Sequence, residues 1–118
     1  MQDRLVNCTP HKIVIERDGK VALILEPSGF VPRVSTKQGT IDEGVSTSTG
    51  AQVFSADIRG AVTGMPIQKR HVWYVVSGMV GAALKGQRGD ILVPGTGPSD
   101  NPIREAGRIV AVTRLKRV

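Results

Sequence analysis

Cysteine is nearly absent from this chain. Cys8 stands alone, which excludes an internal disulfide and a zinc site built on a cysteine cluster. Histidine is almost as scarce, and His11 and His71 lack the spacing of a helical or finger-type metal pair. Four rings (Phe30, Phe54, Trp73, Tyr74) make only 3% of the residues, which argues against a platform that stacks successive unpaired bases. Apolar runs such as Val21–Leu25 fall far short of the roughly 20 residues that cross a bilayer. No apolar core follows Met1-Gln-Asp-Arg4, so no signal segment is expected. These absences lead to the expectation of a cytoplasmic protein with no structural metal and no cofactor.

What the chain has in excess is positive charge. Its 118 residues fit one domain spanning 1–118 and carry a formal net charge of +6. Residues 1–68 are neutral, because Arg4, Lys12, Arg17, Lys20, Arg33, Lys37 and Arg59 are matched by seven carboxylates. Residues 69–118 hold Lys69, Arg70, Lys85, Arg88, Arg104, Arg108, Arg114, Lys116 and Arg117 against Asp90, Asp100 and Glu105. The whole excess therefore lies in the C-terminal part, which points to an anionic partner there. A basic surface with few rings suits contact with phosphates better than reading of exposed bases.

Frequent Gly and Pro predict many turns. Arg4–Cys8 reads as a short strand ended by Thr9-Pro10-His11. Lys12–Arg17 and Lys20–Leu25 flank Asp18-Gly19, a strong hairpin signal. Phe30–Thr36 reads as an edge strand because Pro32 lacks a donor. Residues 37–50 read as a loop or weak strand, Gln52–Ile58 as a strand, and Gly60–Gly64 as a short strand or turn. His71–Val76 is a continuous apolar run, as in a central strand covered on both faces. Ser77 is placed to cap a short helix over 78–85, and Val76, Met79, Val80, Ala83 and Leu84 fall at helical spacing. Gly78 and Gly81 weaken that helix by about 1 kcal/mol each but permit close backbone approach. Ile91–Val93 reads as a strand, Pro94–Pro102 as an irregular loop, and Arg108–Leu115 as a final strand. This order predicts an α+β domain, mainly antiparallel β-sheet with one short helix.

Catalytic patterns are missing. There is no Gly-x-Ser-x-Gly elbow and no Walker loop, and neither histidine has a serine or carboxylate beside it in a recognisable pattern. Enzyme activity and catalytic residues are therefore not expected. Cys8, inside an apolar strand, reads as a core residue, and His11 as a turn residue with hydrogen-bonded backbone. Arg88-Gly89-Asp90 matches a cell-adhesion tripeptide, but a local Arg88–Asp90 pair is the plainer reading. More informative is Gly95–Pro102, which offers backbone donors, the Thr96 and Ser99 hydroxyls and the Asn101 amide. Arg104, Arg108 and Arg114 follow, and arginine holds phosphate bidentately.

The stretch Leu5-Val-Asn-Cys-Thr-Pro-His11 resembles the Asn-x-Thr-Pro-His start of a group of small phage-encoded proteins. So do Pro27-Ser-Gly with Pro32-Arg33-Val34, Tyr74-Val-Val-Ser77, and Arg88-x-Asp90 with Pro94-Gly-Thr-Gly-Pro-x-Asp100, Arg104 and Gly107. The similarity extends over most of the chain and is weakest over 38–68. It is to the family that includes the first class of anti-Thoeris proteins. These are sponges that bind cyclic ADP-ribose signals of bacterial immune sensors without cleaving them. The resemblance implies a homo-oligomer in the infected bacterial cell. Its ligand would be a cyclic ADP-ribose-type nucleotide of the glycocyclic kind, with cyclic oligonucleotides as further ligands. Such a pocket is expected to stack adenine on a ring, whereas the helix here offers only Met79.

On this reading Arg88 and Arg104 clamp the pyrophosphate. Asn101 and Gln87 reach ribose hydroxyls or the base edge, and Met79 covers the base face. Arg33, a lone charge in an apolar strand, is either a ligand contact or an edge charge that discourages aggregation. The alternatives are a small basic nucleic-acid-binding phage protein and a virion or assembly accessory. Steep salt dependence marks the former.

Overall fold

The computed structural model describes residues 2–44 and 47–118, without the side chains of residues 58 and 59. The apolar run is its central strand. A four-stranded sheet has the order β1 (Arg4–Asn7), β6 (Val72–Val75), β7 (Ile91–Pro94), β10 (Leu115–Arg117). β1 pairs with β6 in parallel, Leu5 opposite Trp73 and Asn7 opposite Val75. β6 and β7 are also parallel, and β10 runs antiparallel to β7. The fold is mostly β with one short helix, but the expectation of a mainly antiparallel sheet is corrected: the main sheet is largely parallel. The reason lies in the connections. Helix α1 (Gly78–Leu84) follows β6 and returns the chain to start β7 in the same direction. Both faces of β6 are covered in consequence, and Tyr74, Val75 and Val76 are buried.

α1 begins where the sequence indicates, with Ser77 Oγ accepting from the Val80 N–H at 3.4 Å. Val80 and Leu84 pack on Cys8, Tyr74, Val76 and Ile91 on one side of the sheet. Ile13, Val75 and Val112, with Leu25, Leu92 and Leu115, form the core on the other side. Gly81 allows the close approach, since a Cβ there would collide with Val93 Cγ1 of β7.

Three two-stranded antiparallel ribbons surround this unit. β2 (Ile13–Arg17) and β3 (Lys20–Leu25) turn at Asp18-Gly19, both at positive φ, as a two-residue hairpin requires. β4 (Arg33–Lys37) pairs with β5 (Ile58–Thr63). The strand expected over 52–58 is therefore displaced: within 52–57 only Phe54 bridges, to Ile41, and pairing with β4 selects the segment after it. β8 (Ile103–Glu105) and β9 (Arg108–Ala111) turn at Ala106-Gly107, again both at positive φ. The single strand expected over 108–115 is thus divided between β9, which pairs with β8, and β10, which pairs with β7.

The chain is elongated. Its radius of gyration is 18.1 Å, whereas a compact chain of this length has about 13.5 Å. Its accessible surface is 8509 Å², against about 6,200 Å² for a compact chain of this mass. The surplus includes Val21, Leu23 and Ile24 of β3, together with Phe30, Ile41, Phe54, Ile67 and Met79.

Candidate ligand-binding surface

The Asn-x-Thr-Pro-His stretch acts in the fold. Asn7 is 2% exposed, and its Nδ2 donates to the His11 carbonyl at 2.8 Å and the Leu25 carbonyl at 2.9 Å. Its Oδ1 accepts from the Thr9 N–H at 2.9 Å and the Thr9 hydroxyl at 2.7 Å. One side chain therefore fixes the turn after β1 and ties it to the end of β3. Cys8 beside it is buried, and that burial pushes its thiol pKa up.

Parallel strands give the sheet two distinct ends, and these separate the six residues singled out from sequence. Gln87 and Arg88 follow α1 and precede β7, so they lie at the end where the parallel strands start. Arg33 lies outside the main sheet, opposite Thr63 in the separate β4–β5 ribbon. Met79 in the first turn of α1, the loop after β7 with Asn101, and Arg104 on β8 belong to the end where β6 and β7 finish. Four residues of β7 separate the two groups by about 13 Å. One chain therefore does not gather all six into one pocket.

Arg88 is committed to the fold. Its Nε donates to Asp90 Oδ1 at 2.9 Å and its NH2 to Asp90 Oδ2 at 2.6 Å, while NH1 donates to the Pro66 carbonyl at 2.9 Å. Asp90 is buried, and its hydrogen bonds hold the guanidinium still more firmly protonated. The guanidinium also lies 5.5 Å from the centre of the Tyr74 ring. The local Arg88–Asp90 pair is what this fold uses, and few donors remain for a pyrophosphate. Gln87 Nε2 donates to the Ala83 carbonyl at 3.1 Å and completes the helix end.

The loop after β7 is ordered around its own carboxylate. Asp100, buried, accepts from the Gly97 N–H at 3.0 Å and lies 3.4 Å from Lys116 Nζ. A one-turn 3₁₀ helix over Pro98–Asp100 ends at Asn101 in the left-handed region, φ 50°. Thr113 Oγ1 donates to the Asp100 carbonyl at 2.7 Å. Asp100 thus takes up the Gly97 amide that an outside anion would otherwise use. Asn101 in the loop and Arg104 beyond it are exposed, Met79 is 58% exposed, and Arg114 stands against Gly95. Among the described residues Arg104, Arg108 and Arg114 have no carboxylate partner.

Sequence reasoning missed the groove along β1 and the hollow beside it. A groove of about 600 Å³ is lined by Arg4, Val6, Phe30, Lys69, Val72 and Tyr74, among others. A shallower hollow of about 350 Å³ beside it holds Lys69, Arg70, His71, Trp73 and Arg117. Arg117 lies over the Trp73 ring at 5.1 Å, and Trp73 Nε1 donates to Asp3 Oδ2 at 2.8 Å. His71 Nδ1 sits 3.0 Å from Asp3 Oδ1, so this histidine does have a carboxylate neighbour. Their sequence separation of 68 hid the pair from a search for short motifs. Together Trp73 and His71 lower the Asp3 pKa. Among the described residues no group of three or more His, Cys, Asp or Glu is placed to hold a metal. No described helix is long and apolar enough to cross a membrane. No family model, curated protein or solved structure matches this chain.

Proposed function

We propose that this chain is a non-enzymatic sponge that binds a cyclic ADP-ribose-type nucleotide and withholds it from bacterial immune signalling. The observation that carries this reading is the surface where β6 and β7 end. On the segments that leave those strands, Met79 offers an exposed apolar side chain on the face covered by α1, and Asn101 an amide and Arg104 and Arg114 charges without carboxylate partners toward the face on which β9 packs against β2. Open parallel sheets take ligands outside the carboxyl ends of their strands. Two arginines with one amide match a pyrophosphate and ribose hydroxyls, and a flexible thioether covers a base face where a ring is lacking. Arg104 with Arg114 replaces the Arg88–Arg104 clamp, because Arg88 is held by Asp90.

A second copy completes the pocket in this proposal. The accessible surface exceeds the compact expectation by about 2,300 Å², the scale that permanent homodimers hide.

The test is direct. Purified protein is incubated with cyclic ADP-ribose isomers and cyclic oligonucleotides, washed, heat-denatured, and the released material identified. Intact cyclic nucleotide in stoichiometric yield is expected, retained at 0.5 M salt, since a closed pocket makes few phosphate contacts (about one or two) and so has a shallow salt slope. Recovery of linear ADP-ribose overturns the non-enzymatic reading. Retention of none, with a salt-sensitive shift of DNA or RNA, transfers the function to nucleic-acid binding. Arg104→Ala is expected to abolish retention with the oligomer intact.

A further inference from the structure

The groove along β1 arises from a shortage of cover. Val6, Val72 and Tyr74 point to the same side of the sheet as α1, but α1 has only seven residues and packs over β7. β1 is an edge strand of the main sheet, and Val6 and Val72 on this face are only partly buried. Phe30 and the segment Met65–Ile67 form the walls. Arg4 and Lys69 stand together at one end, where the Arg4 N–H donates to the His71 carbonyl and the Val72 N–H to the Lys69 carbonyl. Phe30 stands at the other end, held by Ser28, whose N–H donates to the Asn7 carbonyl at 2.9 Å. Arg4 to Asn7 of β1 spans about 10 Å between these ends.

We propose that this groove binds an amphipathic organic anion, its acidic head on Arg4 and Lys69 and its apolar body along Val6, Val72 and Phe30. The site is separate from the nucleotide surface proposed above. Its lining decides the ligand class. Among the described residues neither Arg4 nor Lys69 has a carboxylate partner, so an anion answers both charges. The polar side chains inside are already used: Ser28 Oγ accepts from the Phe30 N–H, and the Tyr74 hydroxyl donates to the Ile67 carbonyl. A nucleobase would leave its polar edge unpaired there, whereas an acyl chain or fused ring would not. An apolar segment of a second copy would fill the walls but cover two cations without a counter-charge. The half-exposed Phe30 ring supplies the apolar wall that such a ligand removes from water.

The test uses the full chain and 1-anilinonaphthalene-8-sulfonate, with decanoate and decanol as competitors. One dye site per chain is expected, displaced by decanoate and not by equimolar decanol. Trp73, the single tryptophan, is in the adjacent hollow that shares Lys69 and Val72, so excitation at Trp73 should transfer to the bound dye. Arg4→Gln with Lys69→Gln, and separately Phe30→Ala, should weaken binding at least tenfold. Arg4→Lys with Lys69→Arg should retain it, which separates charge loss from unfolding, and Leu23→Ser on the exposed hairpin should leave it unchanged. Dye binding that survives both groove changes, disappears with Leu23→Ser, or yields equally to decanol overturns the proposal. So does a dye-free oligomer that Phe30→Ala converts to monomers, which would mean that a second copy fills the groove.

Discussion

Replacing Asn7 by Asp changes one NH₂ group to oxygen in a side chain that is 2% exposed and fully hydrogen-bonded. The carbonyls of His11 and Leu25, 2.8 and 2.9 Å from Nδ2, then face an acceptor in place of a donor. Losing two hydrogen bonds costs about 2 kcal/mol. The buried carboxylate beside two carbonyl oxygens has its pKa raised, and a rise of about two units adds roughly 2.7 kcal/mol at pH 7. The total, about 4–5 kcal/mol, rivals the whole stability of an ordinary domain. Because the folded-state pKa lies above the unfolded one, near 3.9, the unfolded chain releases its proton first as pH rises. The penalty therefore grows above about pH 4 and recedes as pH falls through that range. Asn7→Ala removes the same donors without a charge, and its cost, about 3 kcal/mol, should not depend on pH. Urea unfolding followed by Trp73 fluorescence at pH 4 and pH 7 measures both. An Asn7→Asp protein within about 1 kcal/mol of the parent at pH 7 refutes this account of the motif. So does one that tracks Asn7→Ala at both pH values.

Arg88→Ala leaves the buried Asp90 carboxylate unpaired and should destabilise by about 3–5 kcal/mol, with Arg88→Ala/Asp90→Asn recovering part of the loss in thermal melts. Gly78→Ala meets open space at the helix start and should stabilise by about 0.5 kcal/mol, whereas Gly81→Ala presses on Val93 and should destabilise. Cys8 is buried with a raised pKa, so native protein should resist an aromatic disulfide reagent at pH 8 and react fully in guanidinium. Asp3, held low by Trp73 and His71, stabilises the fold above its unfolded pKa, and this contribution is lost as pH falls through the folded value. Trp73→Phe should raise the Asp3 pKa measured by NMR.

Local signals were legible where one short segment determines the outcome. Asp18-Gly19 made its hairpin, Ser77 capped its helix, and Cys8 entered the core. His71–Val76 carried more information than its antiparallel interpretation took from it. An apolar strand covered on both faces, followed by a helix, is the pattern of a parallel crossover. Ala106-Gly107 lacks the Asn or Asp that usually marks such a turn, so nothing local in the sequence signals β8 or the division of the last strand. The candidate site failed in a different way. Sequence reading paired Arg88 and Arg104 as one pyrophosphate clamp, but strand direction sends them to opposite ends of β7. The Asp3–His71–Trp73 cluster and the Arg4–Lys69 end of the groove need strands distant in sequence to become neighbours, and no spacing rule anticipates that.

The extended shape has a consequence for how sharply the chain unfolds. An unfolded chain of this mass exposes about 18,300 Å². With 8509 Å² still accessible when folded, a single copy hides about half of that area, where a compact domain would hide about two-thirds. The denaturant slope follows the area newly wetted on unfolding. Taken one copy at a time, this protein should therefore show a slope about four-fifths of the usual value for its length. Its transition would be broad even where its midpoint is ordinary. Cooperativity of that kind steepens only when something else, a ligand or another chain, adds its contact area to the same all-or-none step.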